Sequence, residues 1–162
     1  MATFGDHPPL PDTLESLLAD ETVSTLFLKA ECPPRVKAGH ITELRLEELE
    51  TPAWDKPTLE SLADELVTII DQHAHRSDCF VEIERNGCRI IQAGDLRITC
   101  AWPPFSEAWE ITVVRPVAHL SLSDYELDPR LIQRLSDHHR GVFVVGKPGS
   151  GKTTFAQAIA AY

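Results

Sequence analysis

Residues Gly146-Lys147-Pro148-Gly149-Ser150-Gly151-Lys152-Thr153 spell G-x-x-x-x-G-K-T, the P-loop or Walker A pattern. The chemistry such a pattern serves is the gripping of a nucleoside triphosphate. Gly146, Gly149 and Gly151 tolerate backbone angles that a Cβ forbids, so the loop can curl with its N–H groups turned inward. Those donors form a concave nest for anionic oxygens. A helix starting near Gly151 adds unpaired N–H groups and the positive end of its dipole. Lys152, the candidate catalytic residue, is placed to bridge the β- and γ-phosphate oxygens, and the Thr153 hydroxyl to ligate the accompanying Mg²⁺. Thr154 offers a hydroxyl on the α-phosphate side and Ser150 completes the binding set. Pro148 stiffens the loop and Lys147 is expected at its solvent rim. The expected ligands are ATP and Mg²⁺.

Such a loop must be entered by a strand and left by a helix. Val142-Phe143-Val144-Val145 reads as a buried strand, and Phe155-Ala156-Gln157-Ala158-Ile159-Ala160 as a helix. A chance match in a Gly-rich turn would not require that order. The groups that hydrolyse a bound nucleotide, a Walker B carboxylate and a catalytic Glu, normally lie downstream, and only nine residues follow Thr153. The chain is therefore expected to be a truncated ATPase fragment with weak or no nucleotide binding and no turnover.

Composition sets the surroundings. With 43% hydrophobic and 25% charged residues in 162, the chain reads as soluble and globular. No run of about 18 apolar residues could span a membrane, and Met1-Ala2-Thr3-Phe4-Gly5-Asp6-His7 lacks the basic flank and apolar core of a signal peptide, so a cytoplasmic location is expected. Cys32, Cys79, Cys88 and Cys100 show no C-x-x-C spacing and read as reduced, packing thiols. The net charge of −10 falls unevenly: residues 1–75 hold 5 Lys/Arg against 15 Asp/Glu, and residues 76–162 hold 10 against 10. An acidic first half argues against nucleic-acid binding there, since phosphates need basic surface.

Along the chain, residues 1–21 read as an N-terminal tether carrying a short helix over 14–22, and Thr22 to Lys29 as a strand. Thr58 after Pro57 is the expected N-cap of a helix ending near His75, with Leu59, Leu62, Leu66, Ile69 and Ile70 on one face. Asn86-Gly87 predicts a type I′ hairpin between Cys79–Glu84 and Cys88–Gln92, with Glu84 opposite Arg89 and Ile83 opposite Ile90. Leu96, Ile98, Cys100 and Trp102 alternate along a third strand, and Trp109, Ile111 and Val113 along a fourth. Residues 22–117 are thus an expected α+β domain with an antiparallel sheet, 118–127 a linker, and 128–162 the first strand, loop and helix of an α/β RecA-like domain, with Asp128-Pro129 opening a further helix.

This order of an α+β module, a linker, a short helix, Arg140-Gly141 and a P-loop resembles the PilT-type secretion ATPases. Pro103-Pro104-Phe105-Ser106, Glu110-Ile111-Thr112-Val113-Val114-Arg115-Pro116 and Leu120-Ser121-Leu122-Ser123-Asp124-Tyr125 are similar to the pre-motor segment of the archaeal-type, PIN-domain-containing PilT-like ATPases. Phe27-Leu28-Lys29 and Pro33-Pro34 are similar to the entry into their N-terminal domain. The resemblance covers about residues 23–162. It implies a hexameric ring in the intact protein, Mg·ATP hydrolysis, and mechanical work on nucleic acid or on a secretion or pilus partner, with nucleic acid contacted through regions outside this chain. It also makes Arg115 a candidate phosphate contact, because N-terminal-domain arginines in these rings reach towards the nucleotide; the plainer reading is an arginine in a surface ion pair. Pro11-Asp12-Thr13 is similar to the start of a PIN domain, but no apolar strand leads into it and no acidic metal cluster surrounds it, so nuclease activity is not expected.

The remaining candidates read as structure. His73/His75 and His138/His139 are spaced so that their side chains diverge on a helix, which suits helix-end histidines better than metal ligands. Trp102 and Trp109 fall on the apolar face of their strands. The alternative function is a non-catalytic oligomerisation or interaction module spanning roughly residues 22–127, with a vestigial P-loop. A small-molecule kinase is disfavoured, because such kinases carry the loop near the N-terminus with the acceptor site after it.

Overall fold

Period-two alternation gives each central strand one apolar face. Leu96, Ile98 and Cys100 are buried while Arg97 between them is exposed, and Ile111 and Val113 repeat the pattern on a neighbouring strand. The computed structural model describes residues 7–39, 43–115, 121–137, 141–147, 150–160 and 162. The chain divides into two compact units, Met1–Val117 and Ala118–Tyr162.

In the first unit the elements run α1 (Asp12–Leu17), β1 (Val23–Lys29), β2 (Arg35–Ala38), β3 (Arg45–Glu48), α2 (Lys56–Gln72), β4 (Cys79–Arg85), β5 (Cys88–Ala93), β6 (Leu96–Ala101) and β7 (Glu110–Val114). The strands form one sheet in the order β3-β2-β1-β7-β6-β5-β4, and every neighbouring pair is antiparallel. Two meanders, β1-β2-β3 and β4-β5-β6-β7, therefore meet where the first strand pairs with the last. The connection from one edge strand to the other runs through α2, which lies on a single face of the sheet.

That face holds the core. Leu59, Leu62, Leu66 and Ile70 of α2, at helical spacing, pack on Leu26, Leu28, Ile91, Ile98, Ile111 and Val113. Each such side chain contributes about 1.5–3 kcal/mol when fully buried. Residues expected as a tether belong to this core instead: Pro8 is fully buried, and Leu10, Leu14 and Leu18 are 6%, 0% and 5% exposed. The apolar spacing of these leucines outweighs the surrounding prolines. The short helix also sits earlier than expected, at Asp12–Leu17.

Local chemistry corrects two further expectations. Asp55, not Thr58, caps α2: its carboxylate accepts from the Thr58 N–H at 2.9 Å, while Pro57 sits in the first turn, where its missing donor costs nothing. The helix stops at Gln72, with His73 as its C-cap and His73 Nδ1 lying 2.8 Å from the Ile69 carbonyl. The β4–β5 register is the expected one, Glu84 opposite Arg89 and Ile83 opposite Ile90, after a bulge between Val81 and Ile83. Its turn is not type I′, because only Gly87 of the central pair has positive φ (+87°) and type I′ requires both. A Cβ on Gly87 would meet Phe105 Cβ at 2.8 Å and the Trp102 carbonyl at 2.9 Å, so the hairpin tip fits under the following loop only as glycine.

Trp102 and Trp109 stack at 4.9 Å with 11° between their planes and pack against the core. All four cysteines are free; Cys79, Cys88 and Cys100 are buried, and burial pushes the Cys100 thiol up to about 12.

The second unit contains a 3₁₀ turn (Leu122–Asp124), α3 (Pro129–Asp137) and α4 (Lys152–Ala160). The expected linker is partly folded: Ser121 and Asp124 form a capping box, Leu122 is 3% exposed, and the Tyr125 ring meets Phe155 of α4 edge-on at 4.9 Å. Asp128 opens α3, accepting from the Arg130 N–H at 2.8 Å with Pro129 at the first helical position. The strand expected over 142–145 is absent. Val142, Phe143 and Val145 are 52%, 95% and 90% exposed, and no strand occurs among the described residues of this unit to pair with them.

Candidate functional site

The site is assembled at the N-terminus of α4, after a turn whose geometry comes from its glycines. Ser150 N–H donates to the Lys147 carbonyl at 3.2 Å, folding the loop back on itself. Gly146 lies against that fold, where an added Cβ would stand 2.7 Å from Ser150 Oγ. Gly151 follows with φ +77°, a left-handed conformation that lets the chain pass from loop to helix without strain. Phe155 N–H donates to the Gly151 carbonyl at 2.9 Å, the first rung of the helix ladder. The amides of Lys152, Thr153 and Thr154 precede that rung, and this is where a helix offers donors and positive potential to an anion.

The Lys152 side chain folds back over the loop, its Nζ donating to the Lys147 carbonyl at 2.7 Å. Lys147 itself is exposed, as is Thr153, while Thr154 is half-buried. Residues 141–162 contain no Asp or Glu. The donor set is therefore an ammonium, the hydroxyls of Ser150, Thr153 and Thr154, and first-turn amides, with no carboxylate in this segment to oppose an anion. Those groups fit a phosphate chain, and the Thr153 hydroxyl would be the protein oxygen available to a phosphate-bound Mg²⁺. Pro148 and Gly149 lie outside the described residues, as do His138 and His139.

Arg115 stands in the first unit with partners of another kind. Its Nε donates to the Val23 carbonyl at 3.0 Å, one terminal nitrogen to Leu18 at 2.9 Å, and the other to the Asp20 carbonyl. The ion-pair reading is thereby corrected: the guanidinium ties the end of β7 to the α1–β1 connection through backbone carbonyls. Sequence reasoning had no signal for this, because carbonyl acceptors leave no trace in residue type.

It also missed how much Arg89 does. Besides Glu84 at 2.7 Å, Arg89 reaches Asp64 at 3.3 Å and the Ala63 carbonyl at 3.4 Å on α2, and lies 6.0 Å from the Trp102 ring centroid. It fastens the helix to the sheet. Among the described residues no group of three His, Cys, Asp or Glu side chains converges to hold a metal ion, and no helix is long and apolar enough to cross a membrane.

The chain is similar to larger proteins. Over 143 residues, 88% of its length, it is 42% identical to an uncharacterised KH- and PIN-domain-containing protein of Methanocaldococcus jannaschii, of which it covers 22%. Over 143 residues it is also 36% identical to the Holliday junction branch migration ATPase PINA of Sulfolobus acidocaldarius, of which it covers 28%. The chain thus spans about a quarter of the length of these relatives. Among solved structures it resembles the pilus retraction motor PilT with bound ADP, with a TM-score of 0.60 at 17% identity over 95% of this chain and 43% of that one. The α+β domain therefore has the fold of that part of a PilT-like ATPase. No protein-family model matches the chain.

Proposed function

We propose that this chain is the N-terminal domain and nucleotide-gripping start of the motor of a PilT-like ATPase, of the kind that also carries a PIN domain. The observation that carries the reading is the loop at 146–154, where the Lys152 ammonium folds over a glycine-shaped turn at the head of α4. In this reading Gly146, Pro148, Gly149, Ser150 and Gly151 shape the cradle, and its amides together with Lys152 hold the phosphates. Thr153 holds Mg²⁺ through its hydroxyl, and Thr154 meets the α-phosphate side. Mg²⁺ supplies neutralisation of the charge developing on the phosphoryl oxygens. The similarity to an ATPase named for Holliday junction branch migration supports ATP-driven work on nucleic acid by the whole protein; a hexameric ring, the use of Mg²⁺ and the alternative of a secretion or pilus partner are part of the same proposal. In this reading the groups of residues 146–154 bind the nucleotide, and none of them is a carboxylate that could orient an attacking water.

Titration of the chain with a fluorescent ATP analogue in Mg²⁺ tests this. Weak binding that Lys152→Ala reduces at least about tenfold is expected, with phosphate release no faster than the blank. Equal binding by the variant, or no binding at millimolar nucleotide, would sink the grip; measurable hydrolysis would sink the assignment of roles.

A second reading, a non-catalytic interaction module, is favoured by the exposed Val142, Phe143 and Val145, which lie in no strand. Limited proteolysis separates the two. Early cleavage after residue 117 that nucleotide does not slow supports the module, and nucleotide-dependent protection supports the grip.

A further inference from the structure

Among the described residues the P-loop is supported from one side. On its entry side lie Val142, Phe143 and Val145, which are exposed and belong to no strand. On its exit side α4 carries the first-turn amides, and α4 meets the 3₁₀ turn at Leu122–Asp124. Whatever fixes α4 therefore fixes the direction in which those amides point.

The contact is apolar. Leu122 of the turn and Ala158 of the helix are 3% and 2% exposed. Beside them the Tyr125 ring meets Phe155 edge-on, with centroids 4.9 Å apart and planes at 72°, an orientation that aromatic pairs favour.

Phe155 carries this contact to the grip. It stands three positions after Lys152, on the same face of α4 one turn further on. Its N–H donates to the Gly151 carbonyl at 2.9 Å, closing the turn that holds the amides of Lys152, Thr153 and Thr154. A shift of the Phe155 ring is thus a shift of that turn.

The opposite ring is equally well held. Ser121 N–H and Ser121 Oγ both donate to the Asp124 carboxylate at 2.7 Å. Asp124 N–H donates to the Ser121 carbonyl at 3.1 Å, and Leu127 N–H to the Tyr125 carbonyl at 2.8 Å. Asp128 follows as the opening of α3. A slack tether could not press a ring against a helix; a segment built in this way can.

From the ring pair and the one-sided support we infer that Tyr125 is a positioning residue for nucleotide binding. Through Phe155 it sets the first turn of α4, and occupancy of the loop is registered at Tyr125 in return. This rests on the reading of residues 146–154 as a nucleotide grip. The coupling is reciprocal, so a ring that helps nucleotide to bind must itself respond to the nucleotide.

Two measurements on the full chain test this. In titrations with the fluorescent ATP analogue and Mg²⁺, Tyr125→Ala should weaken binding about threefold to tenfold. Tyr125→Phe, which keeps the ring, should bind like the unaltered chain. Tyr125→Ala combined with Phe155→Ala should lose no more than either change alone, because both remove one contact. The second measurement follows fluorotyrosine by fluorine NMR. Tyr125 and Tyr162 are the two tyrosines, so Tyr162→Phe leaves a single signal. Mg²⁺ with tripolyphosphate, which has no base or ribose to lie against a ring, should move that signal at the concentrations where it displaces the ATP analogue. Lys152→Ala should abolish the movement. Rings that only stabilise the unit would leave the signal still. Should Tyr125→Ala unfold the second unit, seen by circular dichroism, the fluorine measurement on the intact ring still decides. Three results would overturn the inference and leave the grip standing: binding lost in Lys152→Ala yet unchanged in a folded Tyr125→Ala, a signal unmoved by bound tripolyphosphate, or one moved by ATP alone. No nucleotide binding by the unaltered chain would overturn both.

Discussion

Arg115 gives its guanidinium to three backbone carbonyls, those of Leu18, Asp20 and Val23. Hydrogen bonds from a charged donor are worth about 1.5–3 kcal/mol each when partly shielded, and carbonyls left without a donor add a desolvation cost. Arg115→Ala should therefore lower the stability of the first unit by about 2 kcal/mol, seen as a reduced urea midpoint without nucleotide. Arg115→Lys should recover only part of this, since one ammonium cannot reproduce a planar fork. A residue acting solely on phosphate would instead leave the midpoint unmoved and change nucleotide affinity. Lys152 presents the reverse case: its side chain meets one loop carbonyl at the rim of its unit, so its loss should alter ligand binding and not the midpoint.

At the scale of elements, the β4–β5 hairpin shows what a sequence can and cannot declare. Asn86-Gly87 sets a two-residue loop, and the register follows because each apolar side chain must keep its face. The turn geometry did not follow, because it depends on a loop fifteen residues on that covers Gly87. Gly87→Ala places a Cβ into positive φ and against Phe105 and Trp102, and should cost about 2 kcal/mol or more. Thermal unfolding measures it, with Asn86→Ala as the milder companion. Strands β2 and β3 were not assigned from the sequence, because they are four residues long and carry Arg35, Lys37, Arg45, Glu47 and Glu48, charges that suit the edge of a sheet and look like loop. The candidate site was legible in residue type, since glycine spacing and the Lys-Thr pair state their chemistry directly. The strand before it was not realised, because an apolar run becomes a strand only beside a partner, and the described residues of the second unit contain no strand.

For the molecule as a whole, acid should be the weak side of the stability profile. The Asp78 carboxyl is held down to about 2, first by its hydrogen bond from Arg76. Asp55 and Asp20 are lowered by hydrogen bonds from Thr58 and Thr22 respectively. Groups whose folded pKa lies below the unfolded value of about 3.9 stabilise the fold above that pH and lose this contribution as pH falls through the folded values. Denaturant midpoints should accordingly hold level from neutral pH to about 5 and decline from about 4 towards 2. Asp78→Asn should flatten part of that decline; an unchanged slope would show that other carboxylates govern it.

The pairing of β1 with β7 sets the timetable by which the domain can be made. Lys29 and Glu110 are Cα partners across that seam, so a strand translated early waits for one translated roughly 80 residues later, which at about 5–20 residues per second means some 4–16 seconds on the ribosome. Until then the apolar edges of β1 and β6 stand open together. A nascent chain halted before Glu110 would offer chaperones, or its neighbours on the same messenger, two half-sheets with nothing to join them.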